Sequence, residues 1–376
     1  MVHAVVSDPV NVNGESPEVI WVFRRGRKQQ LEEWRQGARA GEFFYGLIPL
    51  RHRYRLGFVE DDGPSLLWRL WYPIELMMAR RMGMGFALPV PLRHLGALNR
   101  AQVVISTVDA CGLPLALLKR AGLLRSKLIY ISQGLTDSIT RHGRGKWLSK
   151  RYRRLLLGVD QLATLSAGAA QGLASWLGVP EERVRVVPFG VDCEFWHQTS
   201  PPGTGGKDML SIGSDPGRDY ATLLAAASGR PLHIVTRQPF ELVGHPNVVK
   251  TADHTPRELR DLYAQARFVV IPLHDKDQPS GQSATLQAMA CARAVIVTKT
   301  RGWWGETWLK DGEHCVLVPP GDVEALRQAV QRLWDDPAAC ARLGHQAREA
   351  VARSFSEARM AEHLSQLIAA YLPKGS

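Results

Sequence analysis

The hydrophobic pattern of the chain is a series of short apolar runs separated by stretches in which apolar residues recur every three or four positions. Runs at 19–23 (VIWVF), 103–106 (VVIS), 128–131 (LIYI), 161–165 (QLATL) and 184–187 (VRVV) predict strands. Helices are predicted over 30–39, 113–121 and 167–178. Runs that are apolar throughout, rather than alternating, mark strands covered on both faces, so this half predicts a parallel sheet flanked by helices. After Val187 the texture changes. The stretch 188-PFGVDCEFWHQTSPPGTGGKD-208 is rich in Pro, Gly and Ser and reads as a linker. The alternation then restarts, with strands at 209–212, 232–235, 268–271, 294–297 and 316–318. Helices are predicted over 220–227 and 256–266, near 280–290, and twice at the C-terminal end, the last over about 357–371.

The fold class predicted is therefore α/β, with two doubly wound, Rossmann-like domains in series. A length of 376 residues agrees, because a single core stops growing well before that size. The expected division is a flexible lead over 1–17, a first domain over 18–190, a linker over 191–207 and a second domain from 208 to 356. Domains of this kind bind ligands at the carboxyl ends of their strands, so a nucleotide-sized ligand is expected in a central cleft that the two domains face.

Composition narrows the class. With 45% hydrophobic and 22% charged residues and no unbroken apolar run of spanning length, the chain is not expected to cross a bilayer. The opening MVHAVVSDPVNVNGESPE lacks a basic stretch followed by a long apolar core, so it is not expected to be a secretion signal, and the expected location is cytoplasmic. Five scattered cysteines, Cys111, Cys193, Cys291, Cys315 and Cys340, form no CxxC pair and predict neither a disulfide framework nor a zinc site.

A net charge of +11 calls for an anionic partner: nucleic acid, an acidic membrane surface or a phosphorylated small molecule. Seven Lys or Arg fall within 141-RHGRGKWLSKRYRR-154, which reads either as a solvated face or as a phosphate or headgroup site. No zinc-finger, homeodomain or RNA-recognition signature accompanies it, so no nucleic-acid partner is expected. In 65-SLLWRLWYPIELMMARRMGMGF-86, Leu66, Leu67, Leu70, Trp71, Ile74, Met77 and Met78 share one helical face, with Arg80 and Arg81 at its end. Such a helix either faces the core or lies on an anionic bilayer, and Pro73 is expected to kink or break it.

Two loops carry candidate chemistry. In 272-PLHDKDQPSGQSATLQAMACARAVIV-297, a loop runs into a helix whose first turn offers Ser280, Gly281, Gln282 and Ser283. Small residues and free amides at a helix N-terminus suit a diphosphate. A plain serine-capped helix is the other reading. The second loop, 213-GSDPGRDY-220, also joins a strand to a helix, with Gly213 and Gly217 permitting close approach and Arg218 as a phosphate-reaching cation. In the first domain, Asp109, Ala110 and Cys111 follow one strand and Ser132, Gln133 and Gly134 the next. Asp109 is read as an acceptor ligand or base, or as a helix cap. Arg24, Arg25 and Lys28 form a basic turn after the first strand, or an anion site. His274 with Asp275 and Asp277 is not expected to hold a metal.

These segments resemble a known family. The stretches 186-VVPFGVDCEFW-196, 211-SIGSDPGRDYATLLAA-226, 279-PSGQSATLQAMACARAVIVT-298 and 312-GEHCVLVPPGDVEALRQAVQRLWDDP-337 are similar, in order and spacing, to motifs of retaining, family-4 glycosyltransferases of the two-domain GT-B fold. The likeness covers roughly 160–365. The first domain is similar only in architecture and in 103-VVISTVDACGLPLALLKR-120.

The resemblance implies transfer of a sugar from a nucleotide-diphosphate donor on the second domain to an acceptor on the first, with 357–376 crossing back as a last helix. It implies no cofactor and no metal, with the departing diphosphate taking the acceptor's proton. Stabilising that diphosphate would fall to Arg218 and the amides of 280–283. UDP is preferred over GDP by family frequency alone. The acceptor is left open as a small molecule, lipid or glycan, with the inner membrane face as a second location. The family's two donor-site glutamates would fall at Pro279 and Gln287, and its arginine after the first glycine at Ser214. These departures imply a variant donor site, with Gln287 on a ribose hydroxyl and the sugar contact of the first glutamate taken over by backbone amides or by Gln282. They also keep open a non-catalytic nucleotide-sugar or glycan-binding homologue, and a GT-B epimerase or phosphorylase.

Overall fold

The computed structural model describes residues 17–61, 66–82, 84–135, 146–197 and 206–373, and it divides into two compact units. The first comprises Met1–Glu32, Phe44–Pro188 and Met360–Ser376; the second comprises Glu33–Phe43 and Phe189–Arg359. Glu33–Phe43, placed by the sequence inside the first domain, thus belongs with the second unit. So does the front of the expected linker, where Asp192 Oδ1 accepts from Glu194 N and Phe195 N at 3.1 and 2.9 Å and folds the chain into a turn.

In the first unit, β1 (Val19–Val22), β2 (Leu56–Val59), β3 (Val103–Ser106), β4 (Lys127–Ser132), β5 (Gln161–Thr164) and β6 (Val184–Val186) form one parallel sheet in the order β2-β1-β3-β4-β5-β6. In the second, β7 (Met209–Ile212), β8 (Leu232–Val235), β9 (Val248–Thr251), β10 (Phe268–Ile271), β11 (Val295–Thr298) and β12 (Val316–Val318) form another, ordered β12-β11-β10-β7-β8-β9. All residues of β1, β3, β7, β10 and β11 are buried, which is why they read as unbroken apolar runs. Strands β2 and β9 escaped the sequence reading. Their patterns, LGFV and VVKT, are half exposed and sit at or next to sheet edges, where a short run carries little apolar signal.

Each order reverses at one point. In the first sheet β1 and β3 are neighbours although β2 lies between them in sequence; in the second, β7 and β10 are neighbours although β8 and β9 intervene. Crossovers leave the sheet in opposite directions at such a point and open a crevice beyond the strand ends. Asp109 follows β3 and Arg24 follows β1; the loops 213–219 and 272–281 follow β7 and β10. Topology alone therefore places the candidate residues at both crevices.

Helix Leu66–Met82 continues through Pro73, so the proline does not break it. Proline removes a donor to the carbonyl of Arg69, and both residues face solvent, where water replaces the lost bond. Of the basic run 141–154, residues 141–145 lie outside the described residues, and the rest enters helix Lys146–Leu156. No described helix is long and apolar enough to cross a membrane.

Helix Asp109–Arg120 packs so closely on β4 that Gly112 lies against the ring of Tyr130, with no room for a Cβ. Gly112→Ala should therefore cost about 1–3 kcal/mol as the ring is displaced. A urea unfolding midpoint equal to the parent's would show that the ring gives way freely.

Candidate functional site

The second unit builds its site by stitching two loops together. Arg218 and Leu273 form an isolated antiparallel bridge, Asp219 N donates to Pro272 O at 3.1 Å, and His274 N donates to Gly217 O at 2.8 Å. The loop after β7 is thereby fixed on the loop after β10. Asp215 organises it further: its Oδ1 accepts from Gly217 N and from Ser280 Oγ, each at 3.0 Å. Asp219 caps helix Tyr220–Ala226 through Thr222 N at 3.0 Å.

Arg218 is the centre of this arrangement. Its side chain is 4% exposed, and Nε lies 3.0 Å from Asp215 Oδ2, yet neither Nε nor Nη1 makes a hydrogen bond. The separation satisfies an ion pair but the geometry does not satisfy a hydrogen bond. Two glycines make room for the guanidinium. A Cβ on Gly213 (φ +151) would overlap it, and one on Gly281 (φ +70) would stand 3.0 Å from Nη1. Backbone with positive φ suits glycine on both counts.

Gly281 is also the N-cap of helix Gln282–Ala290, in left-handed conformation and with no side-chain cap. The serine-capped reading of this turn is thus replaced: Ser280 is spent on Asp215, and the N-cap position is held by Gly281, which has no side chain to cap with. Ser283 is half-buried in the first turn, and Gln282 is buried. Ser214 is exposed and its Oγ accepts from Arg237 N at 2.9 Å, so it serves the loop's shape.

Sequence reasoning missed Lys276. A Cβ on Gly217 would stand 3.1 Å from Lys276 Nζ and 2.8 Å from Ser280 Oγ, which places a second cation beside the same loop. Only the folding of the 272–281 loop reveals that, since a lysine between two aspartates reads as solvated charge. Asp275 and Asp277 pair with Arg301 at 3.0 and 3.4 Å, and His274 Nδ1 lies 3.5 Å from Asp219 Oδ2.

Gln287 lies deeper, one turn and a half into the helix. Its Nε2 donates to Glu42 Oε1 at 2.9 Å, and its Oε1 accepts from Tyr263 OH at 3.3 Å, so both ends of the carboxamide are engaged within the unit. Glu42 is fully buried and also accepts from Trp196 Nε1 at 2.9 Å. Burial pushes its pKa up to about 7, against the lowering effect of the Trp196 and Gln287 hydrogen bonds. Glu42 was not found from sequence. It sits outside every recognisable motif, in the segment that packs with the second unit.

In the first unit, Val108 is the N-cap of helix Asp109–Arg120, which displaces the reading of Asp109 as a cap. Asp109 instead spans two strand ends: Oδ1 accepts from Tyr130 OH at 2.7 Å and Oδ2 from Gly134 N at 2.9 Å. Burial raises its pKa above the usual carboxylate value, with those bonds opposing. Arg24 Nη1 donates to the buried Glu75 at 2.7 Å.

Two parallel, doubly wound α/β units with their site loops at strand carboxyl ends are the arrangement of the GT-B class. Solved structures of this fold include Anabaena HepE in complex with UDP-glucose, at a TM-score of 0.68 and 13% identity, covering 94% of this chain and 100% of that one. The sucrose-phosphate synthase of Thermosynechococcus elongatus matches at TM-score 0.68 and 16% identity over 94% and 98%. At such identities the likeness speaks for the fold.

Two family models match in series: "Glycosyltransferase Family 4" over residues 18–195 and "Glycosyl transferases group 1" over residues 218–336. The chain belongs to the family-4 glycosyltransferases. Curated relatives include the alpha-maltose-1-phosphate synthase of Mycobacterium tuberculosis, 27% identical over 251 residues, 54% of this chain and 63% of that protein. The MMP alpha-(1->4)-mannosyltransferase of Mycolicibacterium hassiacum is 27% identical over 237 residues, 58% of this chain and 55% of that protein. The match thus spans less than two thirds of either relative's length.

The Glu42 carboxyl has a testable signature. Its folded pKa of about 7 lies above the 4.5 of an ordinary glutamate, so folding takes up a proton between those values. Its stabilising contribution is present below pH 4.5 and is lost as pH rises through 7. From pH 5 to 8 this group alone should lower the unfolding free energy by about 2–3 kcal/mol. Denaturant unfolding of the parent and Glu42→Gln at both pH values checks it. The variant should show a shallower fall, and equal slopes would mean that Glu42 stays ionised.

Proposed function

We propose that the protein transfers a sugar from a nucleoside-diphosphate sugar, with UDP as the expected base, to a hydroxyl-bearing acceptor, with retention and without a metal. The observation that carries this reading is Arg218, a buried guanidinium with unbonded Nε and Nη1, held between two glycines, one of which is the N-cap of the adjoining helix. A diphosphate supplies what these groups lack: acceptor oxygens carrying negative charge. Family membership and the UDP-glucose held by HepE support the choice of nucleotide sugar.

In this reading the donor's bond from the anomeric carbon to the β-phosphate oxygen breaks as the acceptor oxygen bonds to that carbon on the same face. The leaving phosphate oxygen takes the acceptor's proton, so no protein base is required. Arg218, Lys276 and the amides of Gln282 and Ser283 stabilise the charge that grows on the leaving group, which is where preorganised donors act most strongly. Retention and metal independence are carried over from the family. Gln287, engaged with Glu42 and Tyr263, supports the helix from below, and we assign it no ribose contact. Asp109, at the reversal point of the first sheet, orients the acceptor side through Gly134. The protein is proposed to act in the cytoplasm, at or near the inner membrane face.

A thermal-shift panel of UDP, GDP, ADP and their sugar conjugates, with a chelator present, tests the donor site. Stabilisation by one nucleotide series is expected. No shift from any of them would overturn the donor reading. A shift without sugar transfer or slow donor hydrolysis would favour a non-catalytic binder, and isomerisation or phosphate consumption without acceptor would favour the epimerase or phosphorylase reading.

Arg218→Ala should weaken nucleoside-diphosphate binding about ten- to a hundredfold while leaving nucleoside binding nearly unchanged. Arg218→Lys, which keeps the charge but loses the planar fork, should fall between them. Titration calorimetry on folded protein decides, and equal losses for nucleoside and diphosphate would remove Arg218 from the phosphate site.

A further inference from the structure

Helix Leu66–Met82 exposes the wrong side chains for a face in water. Leu66 is 76% exposed and Leu70 is 68% exposed, and Leu67, Tyr72, Ile74, Leu76 and Met77 are exposed with them. These are seven of the twelve exposed large hydrophobic side chains among the described residues, gathered on one helix of 17 residues. Their distribution is not scatter. Leu66, Leu70, Ile74 and Met77 follow one another at intervals of four, four and three, so they form a single stripe about 15 Å long.

The inner face is fixed by other residues. Trp71 and Met78 pack on the first unit's core, Trp71 Nε1 donates to Phe86 O at 2.6 Å, and Glu75 takes the hydrogen bond of Arg24. Gly85 allows this closeness, because a Cβ there would stand 2.7 Å from Glu75 Oε1. The outward stripe is therefore not an unsettled inner face; the helix is docked and still presents it.

Charge says what covers the stripe. Glu75 is the helix's one carboxylate, and it is buried and paired with Arg24. The exposed surface carries Arg69 and Arg80 and no acid. A second copy of the chain meeting this helix with its own would bring those arginines together with no acid to answer them. An anionic bilayer answers both features at once: acyl chains take the apolar stripe, and lipid phosphates take the guanidinium groups at its edge.

We propose that helix Leu66–Met82 is a docking surface that lies in the headgroup region of an anionic membrane. The inference does not depend on the sugar-transfer reading, because it rests on surface chemistry alone. Its consequence for the molecule is positional. Glu75 holds the helix to Arg24 at the end of β1, and Ala87 N donates to Ala110 O beside Asp109. Docking would bring the crevice between β1 and β3 to the membrane surface.

Co-sedimentation of the full chain with phosphatidylcholine vesicles, with and without phosphatidylglycerol, tests the proposal. The parent should bind the phosphatidylglycerol vesicles and bind pure phosphatidylcholine far less. The double variant Leu70→Glu and Met77→Glu should lose at least about tenfold in partition coefficient, since two apolar side chains no longer enter the bilayer. Arg69→Gln with Arg80→Gln should lose several-fold and become less sensitive to salt. Val243→Glu, at an exposed apolar site in the other unit, should bind as the parent does. All substituted positions are exposed, and thermal melts confirm folding. A parent that stays in the supernatant overturns the proposal, as does a Leu70→Glu, Met77→Glu protein that binds undiminished. Self-association of the parent that this variant abolishes, with no vesicle binding, would assign the stripe to a second copy instead.

Discussion

The second unit is arranged around one costly object, the guanidinium of Arg218 held out of water. A buried charge is tolerated only when its donors are satisfied, and here Asp215 meets the charge without closing hydrogen bonds to Nε. Much of the local structure follows from holding that group in place. Gly213 and Gly281 clear the space on either side, the Arg218–Leu273 bridge ties the β7 and β10 loops together, and Ser280, just before the helix, bonds Asp215. An arginine free to fold into solvent would need none of this. The arrangement makes physical sense when an anion completes it, and the helix N-terminus beside it supplies donors of the same polarity.

Beneath the helix lies a second polar group removed from water. Glu42 is buried and holds Gln287 and Trp196, while Tyr263 closes the other end of Gln287. The network fixes the middle of the helix whose first turn faces the site, and it recruits a segment distant in sequence to do so. A protonated Glu42 is favoured at mildly acidic pH because desolvation outweighs the hydrogen bonds from Trp196, Gln287 and the backbone that favour its charge. The helix is thus anchored by a carboxyl whose charge state is set by its surroundings.

How much of this was legible in the sequence depends on whether the signal was local. Buried strands such as Phe268–Ile271 announce themselves because both faces are covered, and so the two-sheet architecture could be read directly. The edge-lying Val248–Thr251 could not, since only Val248 of its four residues is buried. That the loops of Gly213, Arg218 and Gly281 follow strand ends was legible from residue types and spacing, and the structure brings the three together around one guanidinium. Lys276 and Glu42 were not, because each acquires its role from a contact made across the fold. The serine cap failed for a related reason: Ser280 had a better partner in Asp215, 65 positions away. Helix Leu66–Met82 was visible as amphipathic, but which side faced the core was fixed by Trp71 and Glu75, and only their partners Phe86 and Arg24 show it.

The two sheets reverse strand order in the same way and put an arginine beyond the strand ends at each reversal, yet the two arginines are treated oppositely. Arg24 donates to Glu75, a buried carboxylate of its own unit, so its charge is already answered. Arg218 has only the half-exposed Asp215, and two of its nitrogens bond to nothing. Net charge cannot distinguish these cases, since each contributes one positive and one negative group. What separates them is whether the acid is placed to close the hydrogen bonds. By that measure the positive charge beyond β7 is left unanswered within the unit, whereas that of Arg24 beyond β1 is met by Glu75.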